Sequence, residues 1–389
     1  MTEPAEPSPT NTTWRFFDAE LVLTSDVPGV NALAASLYHR FQAQPGSPAP
    51  LSRVVCRACQ ETNSPSEEPP VWLNGEVVPL PPSPYWAGEV CDLATNATLA
   101  CVYSHLLFHC ASVSWNGRGV LLVGNAHQGK TSLAVELVRR GWRFLGDDIA
   151  ALGRADRALY PFPKSLRLWP DTLEQSGFAH LAETTPFWAG KHLVDIEQLY
   201  PASLGSAVPL SDVLVLTSPD NAAARDDDGV DRHLDVLPEQ CDESLMQAIS
   251  TLEAVRALEQ MTYHQHTLLR LRTTHRQRAA EQVQTLCAGR GVPLLYVGVP
   301  LPSRPSFAGP ARLEPLSARL GVLALLRQLR VYPPVAPGQN ARGGGPRLFM
   351  EIVNLLCAAR CHALHAGPLG DMADLVCDLV AGGQSTKTV

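Results

Sequence analysis

Between Asn116 and Asp148 the chain carries residue types whose spacing suits the gripping of a phosphate chain. Gly124-Asn-Ala-His-Gln-Gly129-Lys130-Thr131 fits the pattern G-x-x-x-x-G-K-[ST]. An apolar run, Gly119 to Val123, precedes it, and Leu133, Ala134, Leu137 and Val138 come after it at helical spacing, with Gly141 as a helix stop. Glycines at 124 and 129 allow positive φ, so that successive N–H groups turn inward on a phosphate. The helix after the loop adds its unpaired N–H groups and the positive end of its dipole. Lys130 then suits the β- and γ-phosphates and the Thr131 hydroxyl suits magnesium. The expected nucleotide-binding set is Gly124, Asn125, Ala126, His127, Gln128, Gly129, Lys130, Thr131 and Ser132, with ATP and Mg2+ as ligands.

The residues beyond the helix narrow the chemistry. Trp142 to Leu145 reads as a short strand, and Gly146 delivers Asp147 and Asp148 seventeen and eighteen residues after Lys130. Two adjacent carboxylates there can divide the work of phosphoryl transfer, one holding magnesium and the other taking the proton of an attacking hydroxyl. A GTPase would need an N-K-x-D motif further on, and the chain has none.

The segment His109 to Asp148 resembles the catalytic core of HPr kinase/phosphorylase and the wider set of HPr-kinase-related proteins. His109 stands fifteen residues before Gly124, as in that family, and the loop, helix, G-[HW]-R-[LF] strand and D-D pair come in the family's order. Tyr160-Pro-Phe-Pro-Lys-Ser-Leu-Arg167 resembles the next segment of the related kinases. The resemblance implies an α/β (α+β) fold like that of the phosphoenolpyruvate carboxykinases. It also implies Asp147 as base, Asp148 as magnesium partner beside Thr131, and His109 near Asp147. Its expected activity is that of a kinase acting on a hydroxyl, most simply a serine of a peptide or small protein. The chain departs from the family at Asn125 and His127, where the loop usually has aspartate and glycine, and it lacks an E-x-R-G-x-G segment. Phosphorylase activity and an HPr substrate therefore do not carry over. A small-molecule kinase on the same core, and a nucleotide-binding regulatory module without catalysis, are the alternative readings.

Lysine usage singles out further residues. Of 31 basic residues only Lys130, Lys164, Lys191 and Lys387 are lysines. Because ammonium and guanidinium do different work, Lys164 and Lys191, together with Arg167, are candidates for substrate or phosphate contacts, against plain surface scatter.

These residues need a scaffold, and the chain has length for one. With 389 residues, 45% hydrophobic and 18% charged, it reads as a globular protein of two or three domains. A net charge of −7 leaves no nucleic-acid footprint, no run approaches a membrane span, and the polar start from Met1 to Thr13 carries no export signal, so a cytoplasmic protein is expected. Ten cysteines then read as reduced thiols. Cys56 and Cys59 form one C-x-x-C, and Cys357, Cys361, His362 and His365 stand at helical spacings, read as buried groups on an amphipathic helix in preference to a zinc site.

Three parts are expected. Residues 1–85 form an α+β unit, with strands at Trp14 to Thr24, Arg53 to Cys56 and Val71 to Val78 and a helix at Gly29 to Gln42. Residues 86–300 form the nucleotide-binding core. A helix over Leu93 to Phe108 leads to a hairpin on Asn116-Gly117. Leu193 to Leu199, Val213 to Thr217 and Val292 to Val299 are strands of its sheet, and Glu243 to Gln260 and Thr273 to Ala288 are helices. Arg225-Asp-Asp-Asp-Gly229 reads as a solvated turn, and Arg270, Arg272, His275, Arg276 and Arg278 as a basic helix face or a steering patch. Residues 301–389 read as an all-helical extension, a lid, a partner surface or a contact in a homo-oligomer.

Overall fold

The computed structural model describes residues 10–44, 49–59, 70–80, 86–125, 128–217, 232–263, 266–298, 300, 309–330, 344–356 and 358–382. The chain opens as a hairpin of β1 (Thr10–Phe16) and β2 (Ala19–Ser25), not as one strand, because Phe17 at φ 57° turns it. After α1 (Pro28–Tyr38), β3 (Ser52–Ala58) lies parallel to β2, and β4 (Val71–Leu73) and β5 (Glu76–Val78) complete a five-stranded sheet. Their turn is the expected Asn74-Gly75, at φ 52° and 87°, the positive values that a two-residue hairpin requires. α2 (Trp86–Leu99) buries Val90, Cys91, Ala94 and Leu99 in the core of this same unit. The N-terminal unit therefore extends past residue 85. The helix expected over Leu93 to Phe108 ends at Leu99, and β6 (His105–Phe108), buried throughout, is already a strand of the central sheet.

β7 (Ala111–Trp115) and β8 (Arg118–Val123) form the expected hairpin on Asn116 and Gly117, at φ 49° and 75°. β8 is covered on both faces, which is why it reads as a continuous apolar run. α3 (Lys130–Arg139) comes after the glycine loop, and Gly141 at φ 93° ends it, sending the Trp142 N–H back to the Leu137 carbonyl. β9 (Arg143–Gly146), β10 (Ala150–Gly153) and β11 (Ala158–Tyr160) carry the chain around the aspartate pair. β12 (Leu166–Leu168), α4 (Pro170–Gln175), β13 (Phe187–Trp188) and β14 (Lys191–Val194) build a separate three-stranded sheet, so Leu193 does not lie in the core sheet. Asp195 ends that strand by capping α5 (Ile196–Leu199), accepting from the Glu197 N–H at 2.8 Å. β15 (Val208–Thr217) lies parallel to β8 in the central sheet.

Between Arg232 and Gly298 the chain builds a unit of its own, not the continuation of the core that its spacing predicts. β16 (Arg232–Pro238), α6 (Glu243–Ser250), β17 (Ala257–Tyr263), β18 (His266–Thr273), α7 (Arg276–Gly289) and β19 (Leu294–Gly298) run β-α-β-β-α-β. Their antiparallel sheet has the order β17-β18-β16-β19 and its own core around Leu234, Val236, Ile249, Leu271 and Val283. The helix expected to reach Gln260 stops at Ser250, and the expected final core strand pairs here with β16. The basic run is spent internally: Arg270 pairs with the buried Asp235 at 2.8 Å, Arg278 with Glu253 at 2.6 Å, and Arg276 donates to the His233 carbonyl. The turn expected at Arg225 to Gly229 lies outside the described residues.

The C-terminal part is not an all-helical extension. β20 (Arg312–Pro315), α8 (Ala318–Arg327), α9 (Gly344–Leu356), β21 (Arg360–His365) and α10 (Leu369–Gly382) close the central domain. β21 lies parallel beside β15, and β20 pairs antiparallel on β21. The central sheet thus runs β6-β10-β11-β15-β8-β7-β9 with β21 and β20 joined at β15, nine strands among the described residues. α3 and α10 cover one face through Leu133, Leu137, Met372 and Val376, and α8 and α9 cover the other through Val322, Leu325, Ile352 and Leu355. Each such side chain contributes about 1.5–3 kcal/mol of burial, so these helices are part of the core. Cys361, His362 and His365 lie on a strand. Cys361 and His365, four residues apart, would share a face in a helix or in a strand, and the pairing to β15 decides between them. Cys361 is a buried free thiol, as are Cys56 and Cys59. Among the described residues no cluster of three or more His, Cys, Asp or Glu side chains could hold a metal ion, and Cys357 is outside them. Nor is any described helix long and apolar enough to cross a membrane.

His105, at the seam between the N-terminal unit and the central sheet, makes stability pH-dependent. Ser104 Oγ donates to Asp18 at 2.8 Å, so His105 Nδ1 donates to that oxygen at 2.7 Å, leaving Nε2 buried without a partner. Burial, opposed by Asp18 and Asp156, lowers its pKa from 6.5 to about 4. The unfolded chain therefore binds this proton first, and stability falls as the pH drops from 6.5 towards about 4. Thermal melts across that window should show a shallower acid-side slope for His105→Phe than for the parent.

Candidate active site

The glycine loop connects β8 to α3 as expected, although Ala126 and His127 lie outside the described residues. Gly129 takes φ 84°, but Gly124 is needed for a different reason. A Cβ there would stand 3.2 Å from the Leu216 Cβ on β15 and displace the mobile end of Gln128, so Gly124 is favoured by close approach and not by positive φ. Gln128 folds back to accept the Asn125 N–H at 2.5 Å. Lys130 is buried, and its Nζ spans the loop to the Gly124 and Asn125 carbonyls at 2.8 and 2.9 Å. No side chain caps α3 and no acidic residue stands in its first turn, so the helix end keeps its positive character. Ser132 lies in that first turn beside Thr131.

The aspartate pair occupies the turn from β9 to β10. Gly146 is forced by packing, since a Cβ would come within 2.6 Å of the Ile149 carbonyl. Asp148 sits at φ 61°, a left-handed conformation that costs a non-glycine residue energy and often marks a functional position. The turn separates the two carboxylates. Asp147, 2% exposed, accepts the Thr131 hydroxyl at 2.8 Å through Oδ2, while its Oδ1 is buried without a partner. Burial, then the neighbouring Asp148 charge, push its carboxyl up to about 6. Asp148 instead accepts Lys164 Nζ at 3.0 Å and Arg167 at 3.4 Å. Burial alone would raise its pKa, but the Lys164 ammonium and then the Arg167 guanidinium outweigh that and hold it well below the usual carboxylate range.

This arrangement differs from the implied one in two respects. The loop threonine stands against Asp147, not Asp148, and the carboxylate that His109 senses is Asp148. Burial, against the pull of Asp148, lowers the His109 pKa, so its imidazole is held neutral.

The expected substrate lysines converge on the same place. Phe162 returns beside β9 through its N–H to the Leu145 carbonyl at 2.7 Å, which brings Lys164, 6% exposed, to Asp148. The N-terminal unit holds this segment. Ser165 donates its N–H to the Leu37 carbonyl and its hydroxyl to the Ser36 carbonyl, and Phe16 and Phe41 pack on Phe162 at ring distances of 5.6 and 4.6 Å. Arg40, in the 3-10 turn after α1, adds paired contacts to Asp195 at 2.8 and 2.9 Å. The N-terminal unit therefore positions the site's cations. Lys191 completes the group, within the field of Asp148 and Asp147.

Sequence reasoning misses Arg330. The residues after α8 pair with the end of β6: the His109 N–H donates to the Gln328 carbonyl at 2.6 Å and the Arg330 N–H to the Leu107 carbonyl at 3.0 Å. Arg330 thereby meets His109 Nδ1 at 3.5 Å and the Asp148 carbonyl at 3.4 Å, and Gln328 reaches Asn125 at 3.2 Å. In a chain that uses arginine almost everywhere, one more carries no local signal, because only tertiary pairing brings it here.

Comparison with known proteins adds little to this geometry. No protein-family model matches the chain, and no curated protein matches it. Among solved structures, the Hpr(Ser) kinase/phosphatase from Coxiella burnetii aligns at 20% identity with a TM-score of 0.21, over 33% of this chain and 70% of that one. A likeness at that level carries no argument about activity, so the chemistry rests on the site's own residues.

Proposed function

We propose that this chain is a magnesium-dependent kinase that transfers the γ-phosphoryl group of ATP to a hydroxyl, most simply a serine of a peptide or small protein. The observation that carries the reading is the split of the aspartate pair, one carboxylate against the loop threonine and the other ringed by cations beside a neutral histidine. Thr131 and Asp147 are the fitting magnesium ligands, because the orphaned Asp147 Oδ1 and its raised pKa both describe a buried oxygen that a cation would satisfy. Bound magnesium would neutralise phosphate charge there.

Asp148 then takes the role of base. Lys164 and Arg167 keep it ionised and orient it, and His109, which meets Arg330, stands within its field. The acceptor oxygen bonds to the γ-phosphorus as the bond to the β,γ-bridging oxygen breaks, and the hydroxyl proton passes to Asp148. Lys130, Gly129 and the first turn of α3 hold the donor phosphates. A small-molecule acceptor would use the same residues.

The test is ADP release by the purified chain with MgATP, in the presence and absence of pooled serine peptides and hydroxylated metabolites, with Lys130→Ala as the blank. Acceptor-dependent release that disappears in the variant is the expected result. Tight nucleotide binding with no turnover in any pool would overturn the kinase reading.

A further inference from the structure

Four of the five cations around the aspartate pair have partners. Lys130 is tied to the loop carbonyls, Lys164 and Arg167 to Asp148, and Arg330 to His109 and the Asp148 carbonyl. Lys191 is different. Its Nζ lies 4.6 Å from the centre of the Trp169 ring, and among the described residues it has no carboxylate partner. Burial lowers its pKa while Asp148 draws it upward. Lys191 is half-buried with its ammonium on a tryptophan ring, which argues against surface scatter.

The lysine is held by a constrained turn. It comes directly after Ala189 and Gly190, which both take positive φ, 49° and 78°. A Cβ at Gly190 would meet Trp169 at 3.1 Å and Tyr296 of the inserted unit at 3.3 Å, so the turn is wedged between the small sheet and β19. Trp188, opposite Lys191 in the β13–β14 pairing, carries the Arg167 guanidinium 5.4 Å from its ring centre and lies against Gly88 of α2. Both cations therefore stand on tryptophan faces where three units meet. Lys191 is joined to the Asp148 side of the site through Trp188 and Arg167, which reaches Asp148 at 3.4 Å, whereas Lys130 is tied to the glycine loop, so the donor phosphates have their own lysine.

We infer that the molecule carrying the acceptor hydroxyl also bears an anionic group, a carboxylate or a phosphate, and that Lys191 on Trp169 receives it. The inference rests on the kinase reading and names its substrate class. Lys191 is a binding residue in this scheme, fixing the acceptor while Asp148 meets its hydroxyl.

The probes are C-terminally amidated serine pentapeptides with an uncharged fluorophore at the N-terminus, whose residue beside the serine is aspartate, phosphothreonine or asparagine. Their binding to the full-length chain is monitored by anisotropy with saturating magnesium and AMP-PNP, for the parent, Lys191→Met, Lys191→Gln and Lys191→Arg, each checked by thermal melting. The parent should bind an acidic probe about tenfold or more tighter than the asparagine probe, as expected for a charge-assisted contact. Both neutral variants should lose most of that preference, and Lys191→Arg should keep part of it. The tighter acidic probe tells carboxylate from phosphate. Equal binding of all three probes by the parent, or a preference unchanged in both neutral variants, overturns the inference. So does a loss of AMP-PNP affinity that matches the loss of peptide affinity, since Lys191 would then belong to the donor site. Failure of the kinase reading looks different: anion-selective peptide binding with no ADP release.

Discussion

Asp148→Asn should lower kcat by about 10²–10⁴, the range for removal of a general base, while AMP-PNP affinity changes little. Asparagine is a fair replacement for the backbone, because it tolerates the left-handed conformation that Asp148 adopts at φ 61°. It is a poor replacement for the charge. Lys164 is buried and pairs with Asp148 at 3.0 Å, so the amide leaves an ammonium in the protein interior without its counter-charge. Breaking a buried pair from one side costs about 3–5 kcal/mol, reduced here because Asp148 keeps some exposure, and the melting temperature should fall. Adding Lys164→Met separates the two effects. If the stability loss comes from the unpaired ammonium, the double variant should recover much of it without recovering turnover. A double variant that regained activity would show that Asp148 serves the fold and not the chemistry.

Much of this site was legible in the sequence because its parts are local. The loop, the helix spacing, Gly141 and the Asn116-Gly117 turn are short-range signals, and each appears where its chemistry placed it. Lysine scarcity singled out Lys164, which pairs with Asp148, and Lys191, which lies within its field from a different element. Which aspartate meets which partner was not legible. Adjacent residues in a strand would point to opposite sides, but the left-handed turn at Asp148 decides which carboxylate meets Thr131, and no residue type announces that turn.

The C-terminal part was illegible for the opposite reason. Arg360 to His365 is short, and its spacing suits strand or helix, so its identity depends on a partner strand far earlier in the chain. Asp212 makes that partnership specific: buried on β15, it receives Arg118 from β8 at 3.2 Å and Arg360 from β21 at 2.8 Å. The same closure carries the segment that sets Gln328 and Arg330 against His109. A region read as an appendage is thus what finishes the site.

Asp147→Asn should have the opposite profile to Asp148→Asn. In the parent, magnesium should raise the melting temperature and tighten AMP-PNP binding; in the variant both responses should disappear. The Asp147 Oδ1 is unpartnered and buried beside a carboxylate that keeps its negative charge. A carboxylate in that position is unfavourable by itself and becomes favourable with a divalent cation, so most of the coupling should pass through one residue. In chelator the variant should melt no lower than the parent, because the amide keeps the contact to the Thr131 hydroxyl and removes a buried charge. Thermal melts with and without magnesium, run beside calorimetric titration of AMP-PNP, read all three quantities. A variant that kept the full magnesium response would move the metal to Asp148 and restore the assignment implied by the family resemblance, with Asp147 as the base.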